Sequence, residues 1–435
     1  MMIVLLAAAQ VQAQDTRPLG LNEAIDMSLK NSKQLRVSTA RIEQATAALK
    51  EAVQRKLPDA SVTGSYLRLT NADVSLKTKN NNSGGGGGTT SEAPNVSQAM
   101  YGILNLSLPI YAGGRIRYGI ESSRLLEKAA RLDADNERED VIENTIEAYV
   151  NLYKAHSARE IVNRTLTQAQ QRVRDFANLE QNGLLARNDL LKAQLQASNT
   201  ELSLLDVENN WQLANVNMDL LLGLPEKTVL IPDSTLLNGK LQVKDLDSYV
   251  QAALSSRKDL EAIDIRKQAA EVGVKSTKGE YYPSLQVSGG YVAANIPKVI
   301  TITNAANLGL GVSYNVGSLW KTKAKVEGAE ARARELAATQ DMMNDQVRLQ
   351  VNRAYLNWLS NQKKIEVNAK AVEQANENYR INRNKYENSL ATATELLDAE
   401  VAQLQAQLNY EFARADAITA YNQLLQAAGQ LATQK

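Results

Sequence analysis

The chain contains no cysteine and a single histidine, His156. Zinc, haem and iron–sulfur centres, thiol catalysis and a Ser-His-Asp triad therefore lack their ligands or their base. No metal, no cofactor and no enzymatic activity are expected. Phe176 and Phe412 are the only phenylalanines, against 16 tyrosines, so bulky apolar residues are too few for a thick globular core. A net charge of +1 gives no electrostatic basis for nucleic-acid binding. Runs of ~18 apolar residues are missing, so no transmembrane helix is expected. The Gly84 to Gly88 run is not followed by Lys-Ser/Thr and a helix, which excludes a phosphate-binding loop.

Proline is missing from residues 110–224 and 298–435. A proline costs about 3 kcal/mol in a helix interior, so these Ala-, Leu-, Gln- and Glu-rich stretches predict helix. From Arg115 to Gln181 the only breaker is Gly119, and a helix of that length would approach ~100 Å. Leu166, Ala169, Val173 and Phe176 follow coiled-coil spacing, as do Val372, Ala375, Tyr379, Asn382 and Tyr386. Frequent alanine on these faces suits helices packed on both sides better than a leucine zipper. Returning helices are predicted over about Asp189 to Leu222 and Glu395 to Gln426, and shorter ones over about Leu21 to Arg55 and Leu246 to Lys278.

The chain is also written twice. Ala148-Tyr149 returns as Ala354-Tyr355, an offset of 206 that also maps Ser107 to Ser313, Leu190-Leu191 to Leu396-Leu397 and Gly223 to Gly429. The N-terminal segments align at 225 instead, with Leu29 on Leu254, Pro58 on Pro283 and Tyr66 on Tyr291. The difference marks a 19-residue insertion in the first half, placed at the polar tip around Asn80 to Gly88. A period this long is a duplicated half-protein, not a solenoid unit. The expected organisation is a signal peptide at 1–13, a first repeat at 14–224, a connecting segment at 225–245 and a second repeat at 246–435. The signal peptide rests on the apolar run Ile3 to Ala9 and the small-residue site Val11-Gln12-Ala13.

Between the short and long helices the period drops to two. Leu104, Leu106, Leu108 and Ile110 alternate with small or polar residues, as do Leu310, Val312, Tyr314 and Val316. Strands are expected within about 58–111 and 283–317. A half-buried soluble sheet has this pattern, and so do barrel strands with lipid on one side and water on the other. Tyr66, Tyr101, Tyr111, Tyr281, Tyr282, Tyr291, Tyr314 and Trp320 gather at these segments as interfacial girdles do. Four strands leave two open edges, which hydrocarbon does not tolerate, so copies of the chain would have to close a barrel.

These features, with Leu108-Pro109-Ile110-Tyr111-Ala112-Gly113-Gly114-Arg115 at the strand-to-helix junction and Glu395-Leu396-Leu397-Asp398-Ala399 near the end, resemble the TolC-like outer-membrane efflux family. The resemblance covers the whole mature chain. It implies a mainly α, duplicated fold with a small β-barrel portion. Four strands per chain would enter a trimeric 12-stranded outer-membrane barrel, continued by a long periplasmic α-helical barrel. The homotrimer would be the passive exit duct of a tripartite efflux or type I secretion system, working with a periplasmic adaptor (membrane fusion) protein and an inner-membrane transporter.

The resemblance also assigns roles. Glu395 and Asp398 match the acidic ring of the periplasmic gate, whose crowded carboxylates would raise some pKa values. Thr392 and Glu395 also have the spacing of a capping box, a purely local use. Asp189 and Tyr386 match positions that link the hairpins in the closed state. The arginine expected near the turn is replaced by Ala391, leaving Arg187 as a substitute. Gly183, Leu184, Leu185, Ser389, Leu390 and Ala391 match the adaptor-docking tips. A rival reading, an extended periplasmic coiled-coil or adhesin without a pore, explains the helices but leaves the strand hairpins and tyrosines unused.

Overall fold

The computed structural model describes residues 16–73, 95–234, 244–297 and 300–431. The expected signal peptide and the glycine-rich tip lie outside these residues. The elements are β1 (Thr16–Leu19), α1 (Leu21–Asn31), α2 (Lys33–Gln54), β2 (Asp59–Asp73), β3 (Asn95–Ala112), α3 (Arg115–Gln181), α4 (Arg187–Leu222), β4 (Val229–Pro232), α5 (Leu246–Ser256), α6 (Lys258–Lys278), β5 (Ser284–Ile296), β6 (Ile300–Ser313), α7 (Ser318–Glu387) and α8 (Ala393–Ala427). The proline-free stretches contain the helical hairpins α3–α4 and α7–α8, whose long arms α3 and α7 have 67 and 70 residues. Among the described residues no helix is long and apolar enough to cross a membrane. The chain forms two compact units that cut across the repeats.

One unit, within Ile42–Ala130 and Ile263–Thr339, carries the sheet. Its order is β2-β3-β5-β6, antiparallel throughout. Register turns the sequence alternation into two different faces. Val62, Leu104, Tyr291 and Ala306 form one row, Ala60, Leu106, Gly289 and Leu308 the next, and Leu108, Val287 and Leu310 a third. The opposite face carries Ser61, Asn105, Gly290 and Asn307, then Asp59, Ser107, Ser288 and Gly309. A slip of one residue would exchange the faces. Strands β2 and β6 are the free edges, and Val62, Leu308, Leu310 and Val312 stand exposed.

The other unit lies within Met1–Arg41, Arg131–Ala262 and Gln340–Lys435. Here the repeats diverge around their shared Ala-Tyr signature. Tyr149 is fully buried with Leu19, Leu152, Met218 and Leu222. Its hydroxyl donates to the Leu19 carbonyl at 2.7 Å and accepts the Asp233 N–H at 2.8 Å. Tyr355 is partly buried and tilts against Tyr249 and Trp358 at the margin of a core that includes Val347, Val351 and Leu424.

The two short helices differ from the expectation. Each short helix was read as continuous, yet both break, at Ser32 and at Arg257, 225 residues apart. Ser32 accepts the Leu35 N–H at 3.2 Å and so starts α2 afresh. Each break docks on the end of a returning helix. Asn31 donates to the Leu222 carbonyl at 2.6 Å, and Arg257 to the Ala427 carbonyl at 3.2 Å. Segment 225–245, read as a connection, contains β4, which pairs in parallel with β1. Strands of 4 residues are too short to register as a period.

Candidate functional site

The hairpin turns are built by the same backbone device in both repeats. After α3, Gly183 takes φ 70° and Leu184 N–H returns to the Leu179 carbonyl at 2.8 Å. After α7, Ser389 takes φ 60° and Leu390 N–H returns to the Lys385 carbonyl at 2.7 Å. This left-handed C-cap suits glycine and strains serine. Leu184 and Leu390, at matching positions, are 75% and 76% exposed. Leu185 and Ala391 are half-buried, and Leu185 packs beside Phe176, Leu190, Ala193 and Ala393.

The acidic candidates separate. Glu395 closes a capping box with Thr392, accepting its N–H at 2.7 Å and its hydroxyl at 3.0 Å. These bonds hold the Glu395 carboxyl below its ordinary value. Asp398 is exposed on the same face, one turn along.

The expected links are also rearranged. Tyr386 stacks on Phe176, with ring centroids 5.3 Å apart, and Asp189 pairs with Lys192 at 3.4 Å. Burial first, then the Asp189 charge, push the Tyr386 phenol up. Arg187 pairs with Glu180 of its own hairpin at 3.5 Å. The hairpins are also joined by polar residues outside the expected set. Arg172 of α3 lies 3.1 Å from Glu400 of α8 and donates to the Tyr379 hydroxyl of α7 at 3.0 Å. Lys192 donates to Thr394 at 2.9 Å. A signal did exist: at the repeat offset Arg172 faces Asn378 and Glu400 faces Gln194, so each charge is private to one half.

The aromatic candidates fall in two settings. Tyr66 and Tyr291 stand on the apolar face of the sheet, and a bulge after Pro109 brings Tyr111 onto it beside Leu285. Tyr101 does not join them, because its register with Ser65 and Ala294 places it on the opposite face. Tyr281 closes a single 3-10 turn. Tyr282, Tyr314 and Trp320 are exposed where strands and helices meet. Among the described residues no group of His, Cys, Asp and Glu has the arrangement of a metal site.

A two-faced, open-edged strand sheet combined with duplicated long helical hairpins defines an outer-membrane channel architecture. The outer membrane efflux protein family matches residues 24–224 and 249–430. The chain belongs to that family, and it is an efflux-type channel of the outer membrane and not an enzyme. Its fold is similar to the outer membrane protein VceC of Vibrio cholerae, at 21% identity and TM-score 0.77, covering 94% of this chain and 96% of that one. It is similar also to the Campylobacter jejuni CmeC outer membrane channel, at 18% identity and TM-score 0.77, covering 94% and 86%. The Neisseria gonorrhoeae MtrE outer membrane channel, solved in its open state, matches at 16% identity and TM-score 0.74, covering 94% and 89%. Sequence comparison with curated proteins gives no match.

Proposed function

We propose that the chain assembles as a homotrimer and conducts substrates passively from an inner-membrane transporter to the exterior, with a periplasmic adaptor seated on the helical tips. The observation that carries this reading is the sheet, with one apolar face, one small polar face and unpaired edges at β2 and β6. Unpaired edge groups are intolerable in hydrocarbon, so the edges must be closed by further copies. A closed transmembrane barrel takes about eight strands or more, and three copies supply twelve.

The helices support the same assembly. Leu191, Leu195, Leu202, Leu205, Leu213 and Leu220 of α4 are each at least half exposed. Such a stripe is expected to be covered by a neighbouring protomer. The seam of α7 through Val372, Ala375 and Tyr379 is only half-buried in one chain, whereas Leu166, Ala169 and Phe176 of α3 are buried. In this reading Glu395 and Asp398 ring a narrow aperture, and Leu184 and Leu390 with their neighbours receive the adaptor. Tyr66, Tyr111, Tyr291, Tyr282, Tyr314 and Trp320 meet the membrane interfaces.

The test is single-channel recording of the purified protein in a planar lipid bilayer, alongside electrophoresis with and without heating. A heat-sensitive trimer that passes stepwise ion current is the expected result. A trimer that carries no current under any applied potential would sink the channel reading.

A further inference from the structure

We propose that the cleft at the strand-to-helix junction of the first repeat binds the phosphate headgroup of an anionic phospholipid. The inference rests on reading β3 as a membrane strand. The cleft, about 770 Å³, lies between the end of β3, the start of α3 and the end of α6. Its lining carries Lys56, Arg117, Lys275 and Lys278 and no carboxylate. Lys278 is already paired with Glu330 at 2.9 Å. Lys56, Arg117 and Lys275 are exposed and form no ion pair among the described residues. Three cations facing one concavity repel one another until an anion enters.

The start of α3 points the same way. Its first turn has no acidic residue and carries Arg115 and Arg117, the reverse of what the helix dipole favours. Intrahelical bonding begins with Tyr118 N–H to the Gly114 carbonyl at 2.9 Å, so the amides of the first turn are not used inside the helix. An anion beside them would meet both these amides and the Arg117 guanidinium, which matches phosphate geometry. Arg115 is otherwise engaged, donating to the Ala112 carbonyl at 3.1 Å.

The cleft is a built feature of one repeat. Gly113, at φ 61°, presses so close to Gly279 that a Cβ would lie 2.1 Å from its carbonyl oxygen. The second repeat has Gly317 before its long helix, but without the left-handed backbone or the close approach to another segment's backbone. Ile110, Tyr111 and Tyr282 are exposed around the cleft. This apolar and aromatic rim favours a lipid over free phosphate, because acyl chains can lie on it while the headgroup meets the cations.

The test is native mass spectrometry of the full-length protein, purified in a non-ionic detergent and titrated with phosphatidylglycerol, phosphatidylcholine or inorganic phosphate. Phosphatidylglycerol is expected to be retained at a concentration at least about tenfold lower than phosphatidylcholine. Combined Lys56→Gln, Arg117→Gln and Lys275→Gln should abolish that preference. Removing three charges from α7 by Lys363→Gln, Lys364→Gln and Lys370→Gln should preserve it. If the triple cleft variant fails to assemble, Arg117→Gln alone should still weaken the preference measurably. Equal retention of the two lipids, or an unchanged preference in the cleft variants, overturns the proposal. Displacement of phosphatidylglycerol by inorganic phosphate at similar concentration also overturns it, in favour of a free-phosphate site. Conductance is read separately: a wild-type protein that selects phosphatidylglycerol but carries no current would sink the channel reading and leave the lipid site standing.

Discussion

The Arg172 guanidinium lies 3.1 Å from the Glu400 carboxylate, tying the long helix of the first repeat to the returning helix of the second. Both side chains are largely buried, 13% and 4% exposed. Neither Glu400 oxygen has an aligned hydrogen-bond donor, and burial pushes the Glu400 carboxyl up while Arg172 opposes the shift. A buried pair satisfied by distance alone is a poor source of stability and a sensitive one to break.

Removing one partner should therefore cost more than removing both. Arg172→Met strands a buried carboxylate and Glu400→Leu a buried guanidinium, and each is expected to destabilise the protein by about 3 kcal/mol or more. The double variant Arg172→Met, Glu400→Leu should lie close to wild type. Chemical denaturation of the four proteins in a double-mutant cycle measures this. Simple additivity of the two single changes would show that the pair is not coupled.

Asp219 gives a pH signature. It is fully buried, and burial, followed by the Glu226 charge, raises its carboxyl from 3.8 to about 6. Between those values the folded state holds more protons than the unfolded one, so stability falls as pH rises through the window and levels above it. The charged form costs on the order of 2–3 kcal/mol near neutral pH. Asp219→Asn should be the more stable protein at neutral pH, with the gap closing near pH ~4. Denaturation midpoints across that range decide it; a gap that widens on acidification would contradict the assignment.

Glu395 combines a cap with a charge, and the two can be separated. Glu395→Gln keeps an acceptor for the Thr392 N–H and should preserve the helix start, whereas Glu395→Ala should lower the unfolding midpoint. If the acids ring the aperture, Glu395→Gln and Asp398→Ala should both weaken block by multivalent cations applied from the periplasmic side. Unchanged block in both variants would leave Glu395 as a cap and Asp398 as a surface acid.

The matched turns predict opposite responses to small substitutions. Ser389→Gly relieves a left-handed serine and should stabilise the protein by about 1 kcal/mol, while Gly183→Ala should destabilise it by a similar amount. Thermal unfolding of the two variants tests the claim, and shifts of the same sign would refute it.

Much of this molecule was readable in its residues. The missing prolines marked the stretches that hold the long helices, and alternation around Leu104 and Leu310 marked the strands. Both are local periodicities, imposed on each residue by its near neighbours. The capping box at Thr392 and Glu395 was equally local. The breaks at Ser32 and Arg257 were not, because each is decided by the helix end it docks on. Pairing of β1 with β4 was hidden for the same reason, since 4-residue strands carry too little pattern.

The candidate site divides along that line. Leu184 and Leu390 came from the family resemblance; they occupy matching positions of the two repeats and both are exposed. Inter-hairpin links were expected at Asp189 and Tyr386; Tyr386 does cross, stacking on Phe176, while the polar contacts lie at Arg172, Glu400, Lys192 and Thr394, which are brought together only when two repeats pack. The sequence by itself determined the duplication, the long helical stretches and the alternation along the strands, because these follow from spacing along one chain. Only the tertiary structure decided which copy of each repeated position is buried. Leu397 of α8 is buried while its counterpart Leu191 on α4 stays exposed, because burial depends on what packs across from a residue and not on its place in the repeat.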